Sequence, residues 1–202
     1  MKYRKYLNVF IFVIVIINWI RMMLGLSNTG LASSGLRSLK YFTVLSNLFE
    51  AYASTMWLYK KDEKIKYIAS VSLSLTFITV VLFLGPLFGY RIMYIGSNFW
   101  FHLIVPIIAV MEVIFLSKYT ISKKDNLFAL MPMFIYGLFY VGNIFINGVG
   151  SWPNTNDWYG FFTWGYTGGI VVFFVISLAT YFMGYVIKRI NNKYDNYINK
   201  TH

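Results

Sequence analysis

The chain contains no cysteine, only two histidines, one of which is the terminal His202, and seven acidic residues in 202. Without thiols there is no disulfide, no cysteine nucleophile and no thiolate metal site. A single internal histidine, His102, also leaves a histidine-built metal centre without its ligands. No cofactor is therefore expected. Charge is scarce as well: 12% of residues are charged, roughly half the share of a soluble domain. That is too little polar cover for a water-soluble globule of this length.

What fills the chain instead is apolar: 58% hydrophobic and 21% aromatic residues, with a mean hydropathy of +0.58. Apolar runs fall at about 7–24, 41–59, 65–88, 98–116, 127–146 and 161–187. Each is near the ~20 residues that cross a bilayer as a helix. The expected fold class is all-α, one polytopic bundle of six transmembrane helices across residues 1–202. No strand periodicity, soluble insert or internal repeat is visible. A cleaved signal peptide is the competing reading of the first run, with small residues following at Ala32-Ser33-Ser34. The length of the run and the Asn18/Arg21 pair speak against it.

The net charge of +11 does not point to nucleic acid, because the basic residues sit in short clusters between apolar runs, as topology-setting loops do. Fourteen Lys and Arg fall before the first run, after the second, after the fourth and in the tail. The four others are Arg21, Arg37, Lys40 and Arg91. Both termini are thus expected in the cytoplasm, with the Gly/Trp/Asn stretch of residues 148–160 outside. The Asn-, Lys- and Ile-rich composition suits an AT-rich bacterial genome, which makes a bacterial plasma membrane the expected location.

Polar side chains gather near the outer edge of the bundle. Thr43, Ser46, Asn47 and Glu50 follow i, i+3, i+4, i+7 spacing and share one helix face. Glu50 then lies about 10 Å deeper than Thr43 at 1.5 Å per residue. His102 opens the fourth run at a depth similar to Thr43. Tyr136, Tyr140, Asn143 and Asn147 form a stripe on the fifth. Asn18 and Arg21 sit at the outer end of the first, and Asp157 comes from the outer loop. Each also has an ordinary role: Thr43 bonding to a carbonyl one turn earlier, the asparagines joining helices, and His102 packed in place. Arg37 and Lys40 would then meet headgroups, with Trp152, Trp158, Tyr159 and Trp164 as an aromatic belt. Glu50 and Glu112 are harder to place. Buried carboxylates cost several kcal/mol unless paired, neutralised or hydrated. With every Lys and Arg assigned to loops and run ends, a wet or polar interior around Glu50 is expected.

Leu39-Lys40-Tyr41-Phe42-Thr43, the following Val44-Leu45-Ser46-Asn47-Leu48, the group His102, Pro106 and Glu112, and Asn156-Asp157-Trp158-Tyr159-Gly160-Phe161 resemble the androgen-induced membrane hydrolases and their bacterial relatives. The resemblance involves some twenty positions and implies an intramembrane threonine hydrolase of six spans. Animal members split esters between a fatty acid and a hydroxy fatty acid. By motif match the nucleophile falls on Thr43 and the histidine on His102. The spacing around the histidine and the loop before the sixth run depart from the animal pattern, which leaves the substrate open.

In that reading His102 takes the Thr43 proton, as a weak alcohol nucleophile requires. Asn143, Asn147 or Asn47 serves the oxyanion with Ser46 as polar support, and Asp157 orients the histidine. Arg37 or Lys40 holds the head of a lipid or fatty-acyl ester, and residues 148–160 act as a lid. Two other readings stand beside it. One is a lipid-binding scaffold without catalysis. The other is a small transporter lined by Glu50, Glu112 and the asparagines, in which Gly165, Gly168 and Gly169 allow close packing or a helix break.

Overall fold

In hydrocarbon every backbone N–H and C=O must find a partner within the chain, and long apolar runs meet that demand as helices. The computed structural model describes residues 2–27, 34–151 and 155–201, with side chains described up to 197. Ala32 and Ser33 of the candidate cleavage stretch, Trp152 of the aromatic group and His202 lie outside them. Among the described residues the chain is all-helical, without strands. The long helices are α1 (Lys2–Met23), α2 (Phe42–Lys60), α3 (Glu63–Phe88), α4 (Ser97–Leu116), α5 (Lys123–Asn147) and α6 (Gly165–Thr201). Five of them, all except α2, are long and apolar enough to cross a membrane. The 19-residue α2 carries the polar stripe and is wedged between α1 and α3.

Helix ends follow local chemistry. Asp62 caps α3 by accepting the Ile65 N–H at 3.0 Å, so α3 begins at Glu63 and Lys66 already lies inside it. Ser122 and Asp125 form a reciprocal capping box at the start of α5. Asp157 accepts the N–H groups of Phe161 and Phe162 at 2.9 and 2.8 Å. Those residues therefore stay in a turn, and α6 starts at Gly165 (φ 77°) rather than at 161. Gly169 packs closely, since a Cβ there would meet the Phe162 ring at 2.6 Å.

α3 and α4 each contain a π-helical segment, Val80–Leu84 and Trp100–Ile104, just before Pro86 and Pro106. Proline lacks the N–H that would bond four residues back and crowds that carbonyl. The extra residue of a π turn absorbs the mismatch.

One core joins Ile11 and Val15 of α1, Val44 and Ala51 of α2, Leu73 of α3, and Phe101 and Ala109 of α4. A second joins α3, α4, α5 and α6 through Tyr67, Val113, Ala129 and Ile187. The third sets Val80 and Leu84 against Tyr140, Ile144, Tyr159 and Phe162. Large apolar side chains face outward all round the bundle, Phe139 at 75%, Ile146 at 83% and Leu178 at 70% exposure. Exposure on that extent is what a lipid-immersed surface looks like.

Candidate functional site

The face of α2 predicted from its spacing points inward, with Ser46, Asn47 and Glu50 buried and Thr43 half-buried. The Ser46 hydroxyl lies 3.1 Å from the Thr43 carbonyl and 2.9 Å from Thr76 Oγ1 of α3. The Asn47 amide donates to the carbonyls of Thr43 (2.7 Å) and Phe101 (3.1 Å), clamping α2 to α4. The hydroxyl of Thr43 has no hydrogen-bond partner among the described residues. Thr43 lines a narrow, mostly apolar cavity of about 60 Å³ together with Thr76, Leu84, Tyr140, Phe162 and Phe173.

A larger open groove of about 560 Å³ runs between α2 and α5, bordered by Lys40, Leu45, Phe49, Ile135, Phe139 and Asn143. Phe42, Tyr136 and Tyr140 line both spaces and stand between them. The Tyr136 hydroxyl donates to the Lys40 carbonyl at 2.7 Å and accepts Trp158 Nε1 at 3.0 Å. The Tyr140 hydroxyl donates to Asp157. Tyr41 provides no side-chain cap for α2, and the Phe42 N–H donates instead to the Tyr159 phenol oxygen at 2.8 Å. Burial pushes that phenol up to about 12, against the lowering effect of Tyr136 and the helix N–H groups.

His102 is buried in the π segment of α4, with Nδ1 2.7 Å from the Met93 carbonyl. A carbonyl only accepts, so Nδ1 carries the hydrogen and Nε2 keeps its lone pair. His102 does not line either of the two spaces, and no hydrogen bond joins it to Thr43 among the described residues. Their segments meet through Asn47, whose amide reaches the carbonyl preceding His102.

The remaining expected residues are placed as follows. Asn143 borders the groove, and its side-chain oxygen accepts from exposed Asn147 at 2.9 Å. Both amide donations of Asn47 end on backbone carbonyls. Asp157 is held by Tyr140 and two N–H groups rather than by His102, whose partner is Met93. Arg37 is exposed on the 3-10 turn Gly35–Lys40. Lys40 sits 5.2 and 5.3 Å from the rings of Tyr41 and Trp158 at the mouth of the groove.

Glu50 and Glu112 require a correction. Both are paired with cations, and neither lines the cavity or the groove. Lys66 bonds to Glu50, lies 2.9 Å from Glu112, and donates to Ser54 at 3.1 Å. Arg4 Nε meets Glu112 at 2.9 Å, and its Nη2 meets Glu63 at 2.6 Å. The wet or polar interior expected around Glu50 is polar: a buried ion cluster with Lys66, Ser54 and Glu112. The charge count places Lys66 with the loop after the second run, whereas the Asp62 cap draws it into α3 and turns it inward. A signal for Arg4 did exist: Arg4, Asn8, Ile11, Val15, Asn18 and Met22 are the buried face of α1 at alternating three- and four-residue steps. Tyr159, which closes the start of α2, left no such periodic trace.

No protein family, curated protein or solved structure matches this chain.

Proposed function

We propose that the protein is an intramembrane lipid-ester hydrolase with Thr43 as nucleophile and His102 as base. The supporting observation is the Thr43 hydroxyl, which has no hydrogen-bond partner among the described residues while the Ser46 hydroxyl and the Asn47 amide N–H groups are engaged. Thr43 lines an apolar cavity, as an acyl ester demands. The resemblance of the segments around Thr43 and His102 to the androgen-induced membrane hydrolases adds to this reading.

A fatty-acyl chain lies in the groove between α2 and α5, and its head, carboxylate or phosphate, sits by Lys40 with Arg37 at the rim. The ester passes the Phe42–Tyr136–Tyr140 wall to reach Thr43. His102 Nε2 accepts the hydroxyl proton as Oγ1 attacks the carbonyl carbon, then returns it to the leaving alkoxide. Water repeats the sequence on the acyl-enzyme and frees the acid. For this the π segment of α4 brings His102 toward Thr43 once substrate opens the wall. The bundle crosses the membrane six times, α2 included, with both termini cytoplasmic, in a bacterial plasma membrane.

A second reading, a non-catalytic lipid-binding scaffold, is favoured by one observation: His102 does not line the cavity that Thr43 lines. A transporter has less support, because Glu50 and Glu112 are held by Lys66 and Arg4 and line neither the cavity nor the groove. The test is labelling of purified protein with a lipophilic ester-directed fluorophosphonate, followed by hydrolysis of acyl esters. Thr43→Ala and His102→Ala are expected to abolish both while Thr43→Ser keeps part of the activity. Equal labelling of wild type and both alanine variants refutes the enzyme, and lipid retention without turnover selects the scaffold.

A further inference from the structure

Five charged side chains from four helices form one cluster in the inner bundle: Arg4 of α1, Glu50 of α2, Glu63 and Lys66 of α3, and Glu112 of α4. Two are cations and three are carboxylates, so full ionisation leaves one uncompensated negative charge. The cluster touches solvent chiefly through Glu63, 21% exposed, whereas Glu50, Lys66 and the Glu112 side chain are at 0%. An unpaired charge sealed from water is among the costliest arrangements a protein can hold, and such groups neutralise instead.

The hydrogen bonds single out which carboxyl does so. Glu63 receives both Arg4 terminal nitrogens, Trp57 Nε1 at 2.9 Å and the Ser117 hydroxyl at 2.9 Å. Glu112 receives Arg4 Nε at 2.9 Å and the Asn8 amide at 2.7 Å on Oε1, while its Oε2 lies 2.9 Å from Lys66 without a hydrogen bond. Glu50 accepts a single hydrogen bond among the described residues, from Lys66 on Oε1, the fewest of the three carboxyls, and its buried Oε2 accepts none. Lys66 donates to Glu50 and Ser54 and lies 2.9 Å from Glu112 Oε2. On α5, Asp125 is occupied by Lys64, Ser122 and Tyr119, away from this cluster.

We propose that Glu50 is a proton-binding site: the cluster holds one proton on the Glu50 carboxyl, and this neutral acid is the form in which the bundle is stable. The assignment is independent of whether Thr43 reacts. Its pH consequence has a definite sign. An unfolded glutamate releases its proton near pH ~4.3. The folded protein, keeping it, loses stability progressively as pH rises from there to the point where Glu50 ionises.

The test is infrared spectroscopy of the intact purified protein, combined with melting curves across pH. At mildly acidic to neutral pH the wild type should show a protonated-carboxyl C=O stretch that shifts in D2O. Glu50→Gln should remove it, and Glu50→Asp, which keeps the charge balance, should shift its frequency, whereas Glu112→Asp and Glu63→Asp should leave its frequency in place. Glu50→Gln, neutral at every pH, should also melt near the wild-type temperature at acidic pH and flatten the decline toward alkaline pH. A wild type with no protonated-carboxyl band, or a band that Glu50→Gln leaves unchanged, overturns the proposal. So does a Glu50→Gln protein that retains the full wild-type decline.

Discussion

Thr43 and Asn47 lie one helical turn apart on α2, yet they stand in opposite states. Thr43 lines a cavity and its hydroxyl has no hydrogen-bond partner among the described residues, whereas Asn47 spends both amide donations on backbone carbonyls. Loss of Thr43 should therefore leave the fold intact, and on the proposed hydrolase reading it should abolish probe labelling. Asn47→Ala should instead strip the bond that the buried Phe101 carbonyl accepts. A buried group left unsatisfied costs about 1–3 kcal/mol, so the expected outcome is a lower melting temperature together with weaker probe labelling. Tyr159 provides a pH signature of its own. Its phenol keeps the proton up to about 12 against an ordinary 10.0. The folded state thus holds a proton that the unfolded chain releases, so this contribution to stability is complete below pH 10 and declines between 10 and about 12. Tyr159→Phe should remove that alkaline component from melting curves.

Pro106 explains why α4 presents His102 as it does. The ring of a proline within a helix disturbs the carbonyl four residues earlier, which is that of His102 itself, and the segment Trp100–Ile104 widens to a π turn. Pro106→Ala restores an N–H and permits a regular α-helix. The expected outcome is a shift of His102 away from Met93 and of the Phe101 carbonyl away from Asn47. Activity-probe labelling should fall while helical content by circular dichroism is maintained. The spacing of the α2 residues was sufficient to place Thr43, Ser46, Asn47 and Glu50 on an inward face, because 3.6 residues per turn leaves little choice. Aperiodic segments carry no such rule. Asp157 is expected beside His102, but no periodicity fixes its partner, and it meets Tyr140 instead.

The charged cluster fastens α1, α2, α3 and α4 at one depth, where hydrophobicity alone gives helices in lipid no reason to choose one another. Lys66→Met should leave Glu50 and Glu112 facing each other without their shared cation. Breaking a buried pair in this way costs about 3–5 kcal/mol, to be measured as loss of folded protein or a large fall in melting temperature. The absence of cysteine makes the arrangement in the membrane directly testable. Single cysteines at exposed Lys124, Ser151 and Lys193 should divide into two classes. Ser151→Cys should react with an impermeant maleimide on intact cells, and the other two only after permeabilisation. Composition and apolar run length settled the helical, membrane-suited character of the chain, because unpaired backbone in hydrocarbon is prohibitive and local bonding alone satisfies it. Which charges pair, which oxygen is left bare and which cavity each polar group meets were decided only by the tertiary structure. Those outcomes depend on contacts between residues far apart in sequence, as Arg4 with Glu112 and Phe42 with Tyr159, and no local periodicity encodes them.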